Sequence, residues 1–263
     1  MTDLLTVTGL SFAVAALAMT VTALASRRAG RVSVVDVTWG VALVLVAAVA
    51  AVLEPTWRTG LLLGLVTVWG GRLSWHIYRR QRGHGEDPRY AKILDGGGFG
   101  TAVRKVFLVQ GVAIWFVSWP LQAAAVDDLD LPVLVWVGAA VWLLGVVFES
   151  VGDAQLAAYK RDPDRPPVMD RGLWGWTRHP NYFGDACVWW GLWLAGGLSG
   201  GWLPGLVTLA APAVMTYFLV FATGARLLEE TMMQRPGYPE YAARTSMFVP
   251  RPPRRGARRA VAG

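Results

Sequence analysis

The sequence predicts an all-α integral membrane protein with seven transmembrane helices, its N-terminus outside and its C-terminus in the cytoplasm. Three observations carry that expectation. Seven mostly apolar runs recur along the chain, and roughly 20 apolar residues in a helix cross a hydrocarbon layer about 30 Å thick. Lys and Arg cluster in every second segment between these runs. Fourteen Trp among 263 residues suit a protein with two lipid–water interfaces, where indole rings settle.

The runs, in order, are Leu4–Leu24, Val32–Leu53, Thr59–Tyr78, Val106–Val126, Leu131–Phe148, Tyr182–Leu198 and Leu206–Ala225. The first is too long for the apolar region of a signal peptide and has no basic segment before it, so it reads as a span. The second holds Asp36 near its start, followed by seventeen uncharged residues. The third carries Arg72 and His76 towards its end. Pro120 falls inside the fourth run and Pro212 inside the seventh, which membrane helices tolerate better than soluble ones. The sixth and seventh are joined by Ser199–Gly205, a Gly-rich turn.

Orientation follows from the basic residues, which favour the cytoplasmic side. The first, third and fifth connecting segments and the tail from Arg226 hold 23 of the 25 Lys and Arg. The alternate segments hold Arg58 and the acidic Asp127, Asp128 and Asp130. Residues 1–250 read as one membrane domain. Residues 251–263 read as a basic, disordered cytoplasmic tail lying against anionic lipid. The expected location is a bacterial-type inner membrane, multi-pass, with the active site facing the cytoplasm.

With 54% hydrophobic residues, a mean hydropathy of +0.39 and a net charge of +7, topology accounts for the basic excess and nucleic acid is not an expected partner. Membrane lipids are. The single cysteine, Cys187, sits in an apolar run. It offers neither a disulfide framework nor a Cys-based metal site, and no metal is expected.

Ionisable residues at membrane depth cost at least about 2.5–3.5 kcal/mol at the bilayer centre, so they are functional candidates. Here they are Asp36, Arg72, His76, Glu149, Asp153 and Asp185. Arg72 with His76, Glu149 with Asp153, and Asn181 with Asp185 are spaced i, i+4, which puts each pair on one helical face. Four helices are thus expected to present polar groups to one cavity open to the cytoplasm. The segment Arg79–Tyr90 is dense in anion-binding donors, because Arg forks suit phosphate. Gly96–Gly100 reads as a flexible loop and not as a dinucleotide fingerprint. Pro180 can begin a helix whose free N–H groups suit an anion.

Four stretches together resemble a known family. They are Val35–Gly40, Arg72–His76 running into Arg82–Tyr90, Arg178–Gly184, and Glu229-Glu230 followed by Arg235–Tyr241 and Phe248–Pro250. The chain resembles the DUF1295 group of the steroid 5α-reductase superfamily. The resemblance implies a seven-helix enzyme that takes NADPH from the cytosol. It would pass a hydride to a carbon–carbon double bond, of the enone type, in a steroid or other lipid. Asp36 takes the place of the acid that polarises the substrate carbonyl, and the family's tyrosine partner on the third helix has no match. The implied cofactor-binding set is Arg72, His76, Arg82, Glu149, Asp153, Arg178, His179, Asn181, Tyr182, Asp185 and Glu230. The implied partner is a hydrophobic small molecule: a steroid, an isoprenoid or a fatty-acyl lipid.

Two other readings stay open. The third and fourth stretches are shared with isoprenylcysteine carboxyl methyltransferases and phospholipid methyltransferases, which use S-adenosylmethionine. A transporter or non-catalytic scaffold fits less well, because the buried charge lies on one side with none on a path across. Burial raises the pKa of a carboxyl group, so Asp36 is expected to stay protonated and donate to a developing enolate oxygen.

Overall fold

The computed structural model describes residues 3–222 and 224–252. The protein is all-α, 77% helical and without a strand among the described residues. The expected basic tail lies almost wholly outside them. The chain forms two compact units, Met1–Gly138 with Leu192–Ala211, and Ala139–Gly191 with Pro212–Gly263.

In the first unit, α1 (Leu4–Ala29) starts where the Asp3 side chain accepts from the Thr6 N–H. It stops at Gly30, whose φ of 67° is left-handed, a conformation glycine adopts without a Cβ clash. Arg27 and Arg28 fill its last turn, where cations favour the helix dipole. Helix α2 (Val34–Leu53) follows, then α3 (Trp57–Gln81), opened by a Thr56–Thr59 capping box. Helix α4 (Pro88–Leu94) begins with Asp87 as cap and Pro88 in its first turn. Helix α5 (Phe99–Ala102) runs through a π turn at Val103–Phe107 into α6 (Leu108–Val117), and α7 (Trp119–Ala123) comes next.

Helix α8 (Pro132–Arg161) and α9 (Pro180–Gly196) each contribute to both units. Then come α10 (Trp202–Thr208), α11 (Ala210–Tyr217) with a π turn at Phe218–Ala222, α12 (Ala225–Met232) and α13 (Tyr238–Arg244).

Among the described residues, five stretches are long and apolar enough to cross a membrane: Leu4–Ala29, Val34–Leu53, Phe99–Val117, Pro132–Arg161 and Trp202–Met232. The runs at Thr59–Tyr78 and Tyr182–Leu198 are also helical, but they are different in kind. Helix α3 carries Arg58, Arg72, His76, Arg79 and Arg80, and α9 has 17 residues, about 25 Å at 1.5 Å each.

The prolines shift two boundaries. The fourth run begins earlier than expected, at Phe99, and stops at Val117. Pro120 sits in the first turn of α7, not inside a span. Its ring leaves no N–H for a continuing ladder. Pro212, lacking an N–H for the Thr208 carbonyl, lies just past the break between α10 and α11 at Leu209.

Packing in the first unit depends on small residues. A methyl on Gly40 would overlap the Gly70 carbonyl oxygen, so α2 and α3 meet backbone to backbone. The Ser74 hydroxyl donates to the Val37 carbonyl at 2.7 Å across the same joint. Such close approaches are the main source of helix association where lipid offers no hydrophobic gain. Thr22 bonds Thr38 at 2.9 Å between α1 and α2, and the Trp115 indole on α6 donates to the Thr8 carbonyl at 3.1 Å. In the second unit Gly145 of α8 and Gly184 of α9 repeat the device.

Arg58 is 4% exposed. Its guanidinium donates to the carbonyls of Ala124 at 2.9 Å, Asp127, and Asp128 at 3.3 Å, and to the Ser199 hydroxyl at 3.4 Å. The carbonyls beyond α7 have no helical partner, and Arg58 supplies it.

Candidate functional site

Two charged clusters, one in each unit, hold three of the ionisable residues singled out above: Asp36 in the first, Arg178 and His179 in the second. The first is built on the N-terminus of α2. Ser33 makes no side-chain cap there. Glu86 does the work instead, accepting from the backbone N–H of Val32 and, at 3.0 Å, of Ser33. A carboxylate at a helix N-terminus satisfies free donors and favours the dipole.

Asp87 caps α4, accepting from the Arg89 N–H at 2.9 Å. The first turn of α4 then points Arg89 and Tyr90 at Asp36. The Tyr90 hydroxyl donates to Asp36 Oδ1. Arg89 Nη2 donates to Asp36 Oδ2 at 3.1 Å and to Asp87 Oδ2 at 2.8 Å. Gln81 Nε2, at the end of α3, donates to the Ser33 carbonyl at 3.1 Å and to Asp36 Oδ2 at 3.4 Å.

Asp36 therefore accepts three side-chain hydrogen bonds, one from a cation. The Arg89 guanidinium holds the Asp87 carboxyl below the usual carboxylate range. Burial and the Asp36 charge push the Tyr90 phenol well above its ordinary value, so it stays protonated and donates.

The motif Arg82–Tyr90, expected to bind anions, is thus divided. Glu86, Asp87, Arg89 and Tyr90 are committed within the protein. Arg79, Arg80 and Arg82 are exposed and form no ion pair with the described residues. Arg72 and His76 lie half-buried on α3 in the same unit.

The second cluster centres on Arg178. Its Nε and Nη2 donate to the two oxygens of Glu229 at 2.6 and 2.8 Å, a bidentate pair. Its Nη1 donates to the carbonyls of Ala242 and Thr245 at 2.8 and 2.6 Å. His179 Nε2 lies 3.1 Å from Glu229 Oε1, and its ring stacks on Tyr182 with centroids 5.5 Å apart. The Tyr238 hydroxyl donates to Glu229 at 3.5 Å. Burial, then the Glu229 charge, pushes the Tyr238 phenol up to about 12.

Around this pair, Tyr241 donates to the Trp174 carbonyl at 2.6 Å and Arg244 pairs with Asp170 at 2.6 Å. Asn181 Nδ2 lies 3.4 Å from Asp153 Oδ1. Glu149 is buried and Asp185 half-buried. Glu230 is exposed, because one residue of helix turns it about 100° away from Glu229.

Gln81, Glu86, Asp87, Tyr90 and Glu229 lie within the motifs quoted above, but sequence reasoning gave none of them an individual role. Asp87-Pro88 was a readable signal: a capping acid before a first-turn proline starts a helix and places the next two residues in its first turn. Nothing local separates Glu229 from Glu230. Among the described residues no group of three or more His, Cys, Asp and Glu stands ready for a metal ion.

Neither a curated protein nor a solved structure matches the chain. A family of proteins of unknown function, DUF1295, matches residues 23–245. The match takes in all of the Asp36 cluster and, through Thr245, the Arg178–Glu229 cluster, and the chain belongs to the DUF1295 family.

Proposed function

We propose that the protein is a membrane-bound, NADPH-dependent reductase of a carbon–carbon double bond in a steroid or other lipid, an oxidoreductase acting on CH–CH groups. The observation that carries this reading is Asp36, a carboxylate at the inner end of a membrane helix, fixed by Tyr90, Arg89 and Gln81. The resemblance to the steroid 5α-reductase superfamily supplies the reaction class. NADPH would supply the hydride for the β-carbon of an enone-type substrate. Asp36, or the Tyr90 hydroxyl it holds, would give the α-carbon the proton that completes the reduction. Arg89 balances the carboxylate charge through that exchange. Arg79, Arg80 and Arg82 are the cations that suit the dinucleotide phosphates.

In this reading α3 and α9 also cross the membrane. That makes seven spans, with the N-terminus outside, the C-terminus in the cytoplasm and the site facing inward. Support comes from the alternation of basic segments. Helix α3, at 25 residues, reaches about 37 Å, more than the hydrocarbon layer needs.

One observation favours a methyltransferase instead. Arg89 and Arg178, two of the arginines credited with phosphate, are bound by carboxylates, so fewer cations need a phosphate to explain them. S-adenosylmethionine is itself cationic. Titrating the purified protein with NADPH, NADH and S-adenosylmethionine decides between them. Saturable NADPH binding is expected. Saturable binding of S-adenosylmethionine alone ends the reductase reading.

A further inference from the structure

A cavity of about 910 Å³ runs along the joint between α1 and α2 in the first unit. Its walls extend from Leu10 to Ala25 on α1 and from Val34 to Leu53 on α2, with no residue of α6. At 1.5 Å per residue these walls are about 22 and 28 Å long. A groove about 25 Å long suits one extended hydrocarbon chain, which can fill its whole length. The walls are almost wholly apolar, and the polar lining is confined to a few residues.

The two ends differ. Arg31, Tyr78 and Gln81 line the end where α2 begins, and no charged residue lines the other. Arg31 Nη1 donates to the carbonyls of Gln81 and His84, both at 3.0 Å. Its Nε and Nη2 have no partner among the described residues and suit an anionic head, which a guanidinium fork binds in two-point fashion. Gln81 touches both features: it lines the cavity and donates to Asp36.

The geometry points to a binding groove for a single-chain lipid whose hydrocarbon tail lies between α1 and α2 and whose anionic, carboxyl-level head sits at Arg31 and Gln81. The groove's existence stands on the geometry alone. That its occupant is the substrate rests on the reductase reading. An acyl chain with a double bond conjugated to its head carbonyl would then present the reacting carbons at the Asp36 end.

The full chain, purified in detergent and stripped of lipid, is titrated with palmitate, octanoate and progesterone, with binding read by native mass spectrometry. One palmitate per chain is expected, saturably, with octanoate at least about tenfold weaker. Arg31→Gln should weaken palmitate about tenfold or more and leave hexadecanol unchanged, as for losing one charge-assisted contact. Val41→Trp, on a half-exposed wall position, should abolish binding, and Leu17→Trp fills the groove from the α1 side as a second check. Thermal unfolding shows whether either tryptophan variant folds. Arg31→Gln keeps the test decisive if neither does. Non-saturable lipid uptake untouched by the variants means ordinary annular lipid and overturns the groove. So does progesterone binding without palmitate, or a dimer that Val41→Trp splits. NADPH is titrated on the same sample. Palmitate without NADPH keeps the groove and sinks the reductase. NADPH without palmitate does the reverse.

Discussion

Asp36 in the first unit and Glu229 in the second are both helix-borne carboxylates that meet an arginine and a tyrosine, yet the two clusters are finished differently. Arg178 spends four of its N–H groups on Glu229 and on two backbone carbonyls, with its side chain 11% exposed. It ties the segment around α13 to the loop before α9, and one of its five N–H groups remains. Arg89 is shared between Asp36 and Asp87, and its side chain is 48% exposed. Asp36 is held by three side chains that come from one stretch, residues 81–90. Such a cluster can exchange a partner without unthreading the fold. Residue type alone does not separate a closed clamp from a cluster that can exchange partners. The number of donors already satisfied, and the exposure of the cation, does.

The largest expected effect tests the clamp. Glu229→Ala leaves the Arg178 guanidinium without its carboxylate in a nearly buried place, which should cost about 3 kcal/mol of stability. Thermal unfolding in detergent reads it, with Asp36→Asn as the comparison, expected to change stability by less than about 1 kcal/mol. Equal losses in the two variants would erase the distinction.

Next comes turnover. On the proposed reductase reading, Asp36→Asn should lower the rate by about 10²-fold, as for losing an acid or base, with NADPH affinity intact. Loss of NADPH binding instead would make Asp36 a structural anchor for Arg89 and Tyr90. Arg82→Ala, removing one of the three uncommitted arginines, should weaken NADPH by about 10- to 150-fold. A larger loss for NADPH than for NADH would assign it to the 2′-phosphate. Arg178→Lys is the contrasting variant. It should lower stability and leave dinucleotide affinity unchanged in the fraction that folds.

Smaller effects sharpen the local account. Glu86→Gln weakens the remote cap of α2 and should cost about 1 kcal/mol, measurable as a shift in unfolding midpoint. Tyr238 provides a pH test. Its phenol is raised from an ordinary value near 10 up to about 12. The folded state therefore favours the neutral form. That contribution is fully present below pH 10 and is lost as pH rises towards 12. Tyr238→Phe should flatten this part of the stability profile, and an unchanged slope would remove Tyr238 from the clamp.

The sequence by itself determined that the protein is helical and belongs in a membrane, because long apolar runs and their charge-free length are local properties. It also singled out the two motifs that build the clusters. Asp36 stood out because a carboxylate at the head of an apolar helix is costly. Only the tertiary structure decided which charge each carboxylate meets. Arg58, counted as an exception to the charge pattern, proves to close the carbonyls beyond α7 from about 70 residues away. Arg89 and Arg178 carry the same charge as Arg79 and Arg82 in the sequence, but two of the four are already bound within the protein. Partner choice depends on atoms within about 3 Å that lie 50 residues or more apart in the chain, as Arg89 and Asp36 or Arg178 and Glu229 do. No pattern of spacing along one segment carries that information.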